Sequence, residues 1–121
     1  EIKQSILSMR ALYGDKKLTG IFQPHLYTRT RDFYQEFADS LSLLDEVILT
    51  EIYPARELPI EGVSSQLIYD NLRPDIDKIL CKKEEVIDIL KEKKIEVLMT
   101  LGAGDIENYA PQICEILDER C

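Results

Sequence analysis

The residues best suited to chemistry in this chain lie within residues 25–31. This segment holds the only histidine, His25, together with Arg29 and Arg31. It follows a short apolar run and precedes an amphipathic segment, which indicates a turn between a strand and a helix. Because cations and the free N–H groups at a helix N-terminus both attract negative charge, the segment predicts an anion site. The alternative is a solvated turn whose arginines pair with nearby acidic residues.

Two further segments place polar groups after apolar runs. Residues 52–57 read Ile-Tyr-Pro-Ala-Arg-Glu, and residues 102–106 read Gly-Ala-Gly-Asp-Ile. Arg56 could pair with an acidic residue of its own loop, or it could meet a ligand or a neighbouring domain. The two glycines do not form a dinucleotide fingerprint, because Glu107 stands at the third glycine position and no strand follows. They predict a tight strand-to-helix turn.

Length and composition narrow the class of protein. The chain has 121 residues, which predicts a single domain over residues 1–121, and its net charge of −8 argues against nucleic acid as the main partner. Three cysteines without a C-x-x-C pair, together with one histidine, argue against a disulfide framework and a zinc site. There is no signal peptide and no apolar run of membrane-spanning length, so we expect a cytoplasmic protein. The chain opens in mid-pattern without a methionine, as an excised domain would.

The elements that must position these residues follow from hydrophobic periodicity, which predicts a helix followed by four strand–helix units. The strands are expected at residues 18–23, 46–52, 77–81 and 95–101. The third has little apolar content and is placed at an edge. Thr28 or Thr30 is expected to cap the second helix, whose apolar face includes Phe33 as a core residue. Ser64 is expected to cap the short third helix, and Asp105 the last one.

Strands that alternate with helices predict the α/β class, here a three-layer, Rossmann-like domain. The expected sheet is mainly parallel, with strand order 3-2-1-4 and helices on both faces. This order places strands one and four side by side, so the turn at residues 25–31 and the turn at residues 102–105 would share one edge of the sheet. Ligands bind such sheets at the carboxyl ends of the strands.

Three motifs in this order resemble the C-terminal domain of the Mur ligase family, in particular the UDP-N-acetylmuramate–L-alanine ligases. They are the two segments described above and residues 23–30, which read Gln-Pro-His-Leu-Tyr-Thr-Arg-Thr. Leu26 stands where this family often has arginine, so His25 and Arg29 become the main candidates for the contacts of this motif. The resemblance covers most of the chain.

The resemblance implies a role in peptidoglycan synthesis, and thereby in cell shape and cell division. The parent enzyme would use ATP and Mg²⁺, bound mainly by a central domain, to join L-alanine to UDP-N-acetylmuramate. The C-terminal domain would close over the other two domains and contribute to the amino-acid and acyl-phosphate site. No catalytic set is complete in this chain, which is expected to be inactive alone and to hold no metal. The implied substrate-binding residues are His25, Arg29, Thr30, Arg31, Tyr53, Arg56, Gly102, Gly104 and Asp105.

Two alternatives stay open. The chain could come from a sister ligase that recycles cell-wall peptides, or it could be a non-catalytic binding module of flavodoxin-like topology. The sequence supports neither a P-loop nor a nucleophile elbow, so the chain by itself does not read as a nucleotide triphosphatase or a serine hydrolase.

Overall fold

The computed structural model describes residues 2–14, 16–53, 56–92 and 97–102. Four α-helices and four β-strands alternate along this part of the chain, and a single turn of 3₁₀-helix at Lys83–Glu85 precedes the fourth helix. The helices are α1 (Ile2–Leu12), α2 (Tyr27–Leu41), α3 (Ser65–Asn71) and α4 (Val86–Glu92). The strands are β1 (Leu18–Gln23), β2 (Glu46–Leu49), β3 (Asp77–Leu80) and β4 (Val97–Gly102).

The four strands form one sheet in the order β3-β2-β1-β4, and every neighbouring pair is parallel. This confirms the α/β fold with strand order 3-2-1-4, including β3 at an edge. In the register of the sheet, Gln23 lies opposite Gly102, and Leu49 lies between Phe22 and Leu80. The carboxyl ends of all four strands therefore meet at the same edge of the sheet.

Helices cover both faces of the sheet. On one face, Ile6 of α1, Leu41 of α2 and Ile68 of α3 are fully buried against alternate residues of the central strands. On the other face, Val86 and Leu90 of α4 pack on Ile21 and Ile48. Successive strand residues point to opposite faces, so all six residues of β1 are buried because both faces are covered.

Gly20 allows a close approach between β1 and the segment that follows α2. A Cβ atom at this position would lie 2.5 Å from Cδ1 of Leu44, whose side chain is only 2% exposed. Leu44 therefore fills the space that a larger residue in β1 would occupy.

At the amino ends of the strands, Asp45 joins three parts of the chain. Its Oδ2 atom accepts hydrogen bonds from the backbone N–H of Leu18 at 2.8 Å and from Arg10 at 3.1 Å. Arg10 also donates to the carbonyl of Leu43 at 2.7 Å. The end of α1 is thus fixed to the starts of β1 and β2, at the edge of the sheet opposite to its carboxyl edge.

Two local predictions are wrong. α2 begins at Tyr27, and its N-cap residue is Leu26 (φ 70°), whose side chain makes no capping hydrogen bond. Thr28 and Thr30 lie inside the helix, so neither is its N-cap residue. Phe33 is 48% exposed, because it lies on the outer flank of α2 beside Phe37 and not in the core. The predicted Ser64 cap of α3 is confirmed by a 3.2 Å hydrogen bond from the N–H of Gln66.

Other expectations differ in extent. β2 ends at Leu49 instead of residue 52, because residues 50–52 leave the strand, and pairing with the chain after β1 resumes only as an isolated bridge between Tyr53 and His25. The expected Asp105 cap and the last helix lie outside the described residues, as do residues 93–96. Among the helices that the structure describes, none has the length and apolar character needed to cross a bilayer.

Candidate functional site at the carboxyl edge of the sheet

His25 and Tyr53 form a fixed pair just beyond the ends of β1 and β2. Backbone hydrogen bonds join the two segments, from Tyr53 N–H to the carbonyl of Pro24 at 2.8 Å and from Leu26 N–H to the carbonyl of Tyr53 at 2.9 Å. The two rings are stacked, with centroids 5.8 Å apart and planes inclined by 19°. Both side chains are half-buried, so the imidazole is held at the edge of the sheet while part of it stays accessible.

The first turn of α2 is capped by Glu57, which lies thirty residues further along the chain. Its Oε1 atom accepts hydrogen bonds from the N–H groups of Tyr27 at 2.5 Å and Thr28 at 3.1 Å, and its Oε2 atom accepts one from the Thr28 hydroxyl at 2.5 Å. The anion at this helix N-terminus is therefore supplied by the chain itself. Sequence analysis missed this role, although a glutamate in a structured loop can satisfy free amides as an N-cap residue does.

These contacts change the acidity of the Glu57 carboxyl. The Thr28 hydroxyl, followed by the backbone amides of Thr28 and Tyr27 and the charge of Arg31, lowers its pKa below the ordinary value, although desolvation opposes the change. Each of these groups stabilises the ionised form. Glu57 is therefore present as a carboxylate at neutral pH.

The three arginines of the predicted site differ in their partners. Arg31 is exposed and pairs with its neighbour Asp32 at 3.0 Å, as expected of a solvated turn. Arg29 and Arg56 are also exposed, and neither forms an ion pair with any residue that the structure describes. Arg56 thus pairs with neither acidic residue of its own loop. Of the three arginines of the predicted site, Arg29 and Arg56 are therefore the two that no described acidic residue neutralises.

The remaining predicted residues fall into two groups. Thr30 is fully buried, and its hydroxyl donates to the carbonyl of Leu26 at 2.9 Å, so it stabilises the first turn of α2. Gly102 ends β4 opposite Gln23, which places it at the same edge as His25. Gly104 and Asp105 lie outside the described residues. The structure thus brings His25, Tyr53 and the end of β4 to one edge, and the binding roles of all nine residues stay predictions.

A cavity of about 540 Å³ opens at the same edge, beyond the ends of β2 and β3. Apolar side chains form much of its wall, and the carboxylates of Glu51 and Glu85 and the amine of Lys82 lie at its rim. The cavity residues are Tyr27, Glu51, Ile52, Pro59, Val63, Ser64, Ser65, Gln66, Leu80, Cys81, Lys82 and Glu85. Sequence analysis did not predict this cavity, because four separate segments of the chain contribute to it.

Cys81 lies in the wall of this cavity, half-buried and free. Burial, followed by the negative charges of Glu85 and Glu51, raises the pKa of its thiol to about 11. The thiol is therefore protonated at neutral pH and is not an activated nucleophile. Among the described residues, no group of three or more His, Cys, Asp or Glu side chains is arranged to hold a metal ion.

Comparison with known proteins relates this chain to one group of enzymes. A protein of Phocaeicola vulgatus named UDP-N-acetylmuramate–L-alanine ligase is 75% identical over 99% of the chain. Proteins of the same name from Parabacteroides distasonis and Porphyromonas gingivalis are 57% and 49% identical over 97% and 100% of it. The chain is homologous to a segment of these ligases. It spans about a quarter of their length, between 25% and 26% in each case. No family model matches it.

The homology confirms the resemblance that the three motifs predicted. In these relatives, the segment that matches this chain makes up about a quarter of a longer protein.

Proposed function

We propose that this chain is the C-terminal domain of an ATP-dependent ligase that joins L-alanine to UDP-N-acetylmuramate in the synthesis of peptidoglycan precursors. The observation that carries the proposal is 75% identity, over 99% of the chain, to a relative named for this activity. Because the chain spans about a quarter of that relative, the activity would belong to the whole protein. The isolated chain is expected to be inactive. The reaction would take place in the cytoplasm.

The chemistry proposed for the parent enzyme has two steps. The γ-phosphoryl group of ATP is transferred to the muramoyl carboxylate, and ADP is released. The amine of alanine then attacks the acyl carbon, the bond from that carbon to the phosphate oxygen breaks, and phosphate leaves as the amine loses a proton. Negative charge accumulates on the acyl oxygen during the attack. Positive groups that are already in place lower such a barrier, because they need no reorganisation when the charge develops.

Arg29 and His25 are the residues that we assign to this charge. Arg29 is exposed in the first turn of α2 and forms no ion pair with a described residue, so its guanidinium is free to meet an anion. The ring of His25 is held in place by Tyr53. A guanidinium can also bind the carboxylate of alanine with two parallel hydrogen bonds, a role for which Arg56 is the second candidate. Arg31 ranks lower because Asp32 already binds it.

ATP and Mg²⁺ would be bound by another part of the parent enzyme. The sequence of this chain contains no P-loop, and the described residues hold no carboxylate cluster suited to a metal ion. In the proposed enzyme, this domain therefore contributes side chains at the acyl-phosphate and amino-acid site when the domains close. Gly102, with Gly104 and Asp105, is proposed to border the same cleft from the end of β4.

The proposal is tested with the natural full-length protein that carries this chain. The protein is incubated with UDP-N-acetylmuramate, ATP, Mg²⁺ and either L-alanine or a cell-wall tripeptide, and the product is identified by mass spectrometry. We expect an alanine adduct together with ADP and phosphate. An adduct formed only with the tripeptide would assign the chain to a recycling ligase. Failure to form either adduct would overturn the proposal and favour a binding module.

A further inference from the structure

The loop of residues 56–63, which connects β2 to α3, contributes to two parts of the functional edge. Arg56 begins it, and Pro59 and Val63 form part of the cavity wall. The described residues of this loop form neither a helix nor a strand. Its internal hydrogen bond joins Val63 N–H to the carbonyl of Ile60 at 3.0 Å. A loop of this kind has no regular ladder to fix its position.

Glu57 provides the attachment that the loop otherwise lacks. Among the described residues, three hydrogen bonds join residues 56–63 to another element, and all three run from Tyr27 and Thr28 to Glu57. Hydrogen bonds to a charged acceptor are the stronger class. By contrast, Glu61 in the same loop is exposed and makes no hydrogen bond or ion pair to a described residue.

We propose that Glu57 is a positioning residue, which holds the loop of residues 56–63 against the first turn of α2 so that Arg56 and the cavity wall face the site at His25. Both carboxylate oxygens of Glu57 accept hydrogen bonds from α2, so its proposed role acts through the loop and not through a substrate. The expected effect of Glu57 on KM rests on the ligase activity proposed above. The attachment of the loop to α2 does not depend on that activity.

The expected effect follows from the population of the attached loop. If ligand binds only when the loop is in place, its apparent dissociation constant rises in proportion as the attached fraction falls. At saturating ligand the attached form is selected again, so the rate of the chemical step is recovered. Loss of Glu57 should therefore raise KM for a substrate that meets the loop and leave kcat nearly unchanged.

The first measurement is hydrogen exchange, followed by mass spectrometry, on the natural full-length protein. Hydrogen bonds to charged groups correspond to roughly a tenfold to hundredfold change in an opening equilibrium. Glu57→Gln should therefore accelerate exchange of the Tyr27 and Thr28 amides by about tenfold or more, and also exchange within residues 58–63. The matched control Glu61→Gln removes the same charge from the same loop and should leave both regions unchanged.

The second measurement uses Thr28, the partner of Glu57. Thr28→Val removes the hydroxyl that donates to Oε2 and should accelerate exchange in the loop, whereas Thr28→Ser retains that hydroxyl and should restore protection. In the double variant of Glu57→Gln and Thr28→Val, the two effects should be less than additive, because both changes break the same attachment. Additive effects would contradict the attachment.

The third measurement is steady-state kinetics of the full-length variants. We expect Glu57→Gln to raise KM for at least one substrate by the factor by which the attached fraction of the loop falls, with kcat within about twofold of the wild type. A fall in kcat at unchanged KM, or the same change in Glu61→Gln, would overturn the positioning role. If the wild type lacks ligase activity, the proposed function fails, but hydrogen exchange still decides whether Glu57 holds the loop.

Discussion

Cys81 should react with disulfide reagents about tenfold more slowly than an ordinary thiol, and its reactivity should respond to a specific neighbouring carboxylate. Burial and the charges of Glu85 and Glu51 raise its pKa from 9.0 to about 11. At pH 8 the thiolate fraction falls from about one in ten to about one in a thousand. A more basic thiolate is also more nucleophilic, by roughly eightfold over this range. The two effects together give a rate about tenfold lower.

The assay uses a neutral dipyridyl disulfide, so that the charge of the reagent does not bias the result. Samples are quenched with acid at intervals, and the modified peptide that contains Cys81 is measured by mass spectrometry, with the urea-unfolded protein as the reference. The rate should continue to rise with pH beyond 10 in the folded protein, whereas in the unfolded protein it should level off near pH 9. Restricted access in the half-buried site would lower the rate further without moving this plateau.

A charge variant separates the electrostatic cause from burial. Glu85→Gln should move the plateau to lower pH, because it removes one of the two charges that oppose ionisation. Glu84→Gln makes the same change one residue away and serves as the matched control, since Glu84 is not among the groups that shift this pKa. A plateau near pH 9 in the folded wild type, or equal shifts in both variants, would refute the reasoning.

Three further predictions concern stability and pH. Gly20→Ala should destabilise the fold by about 1–3 kcal/mol in urea unfolding, because the added Cβ would meet Leu44, and a smaller residue at Leu44 should reverse part of the loss. Asp45→Ala should cost about 1 kcal/mol in the same assay, because the Leu18 N–H loses its acceptor; a change near zero would contradict this. Because Glu57 has a lowered pKa, its stabilising contacts are fully present above pH 4.5 and are lost as pH falls through its folded-state pKa. Protection of its loop from hydrogen exchange, corrected for the intrinsic rate, should therefore fall only below pH 4.5. Glu57→Gln should show no such pH dependence.

Much of the fold followed from local sequence patterns. The bounds of β1 were predicted because a short, mainly apolar run is followed by Pro24, which cannot donate to the sheet. The position of β3 at an edge followed from its polar composition, and three of its four residues are half-buried. The parallel sheet with helices on both faces followed from the alternation of strands and helices along the chain.

The start of α2 could not be predicted in the same way. The local sequence predicted a cap among the threonines next to the helix. The acceptor is instead Glu57, which follows β2 in the chain and is brought to α2 by the position of β2 in the sheet. A capping group thirty residues away leaves no trace in local spacing. Phe33 was misplaced for a related reason, because periodicity gives the apolar face of a helix but not where its neighbours end.

The candidate site was predictable only in part. The predicted strand order placed His25 and Tyr53 after neighbouring strands, and the structure stacks their rings. The cavity was not predicted, since it is built from segments that are far apart in the sequence and depends on the path of the loop after β2. The sequence also left open whether Arg56 pairs within its loop, and the structure shows that its neighbour Glu57 binds α2 instead.

The central claim, that the cations beyond β1 act on the charge formed during ligation, is tested most directly by Arg29→Ala in the natural full-length protein. The matched control is Arg73→Ala. It removes an exposed arginine that pairs with Asp75 just after the C-terminal end of α3. We predict that kcat/KM for ligation falls by about a hundredfold or more in Arg29→Ala, with unchanged thermal stability, and stays within about twofold in Arg73→Ala. An Arg29→Ala protein that ligates as well as the wild type would contradict the account.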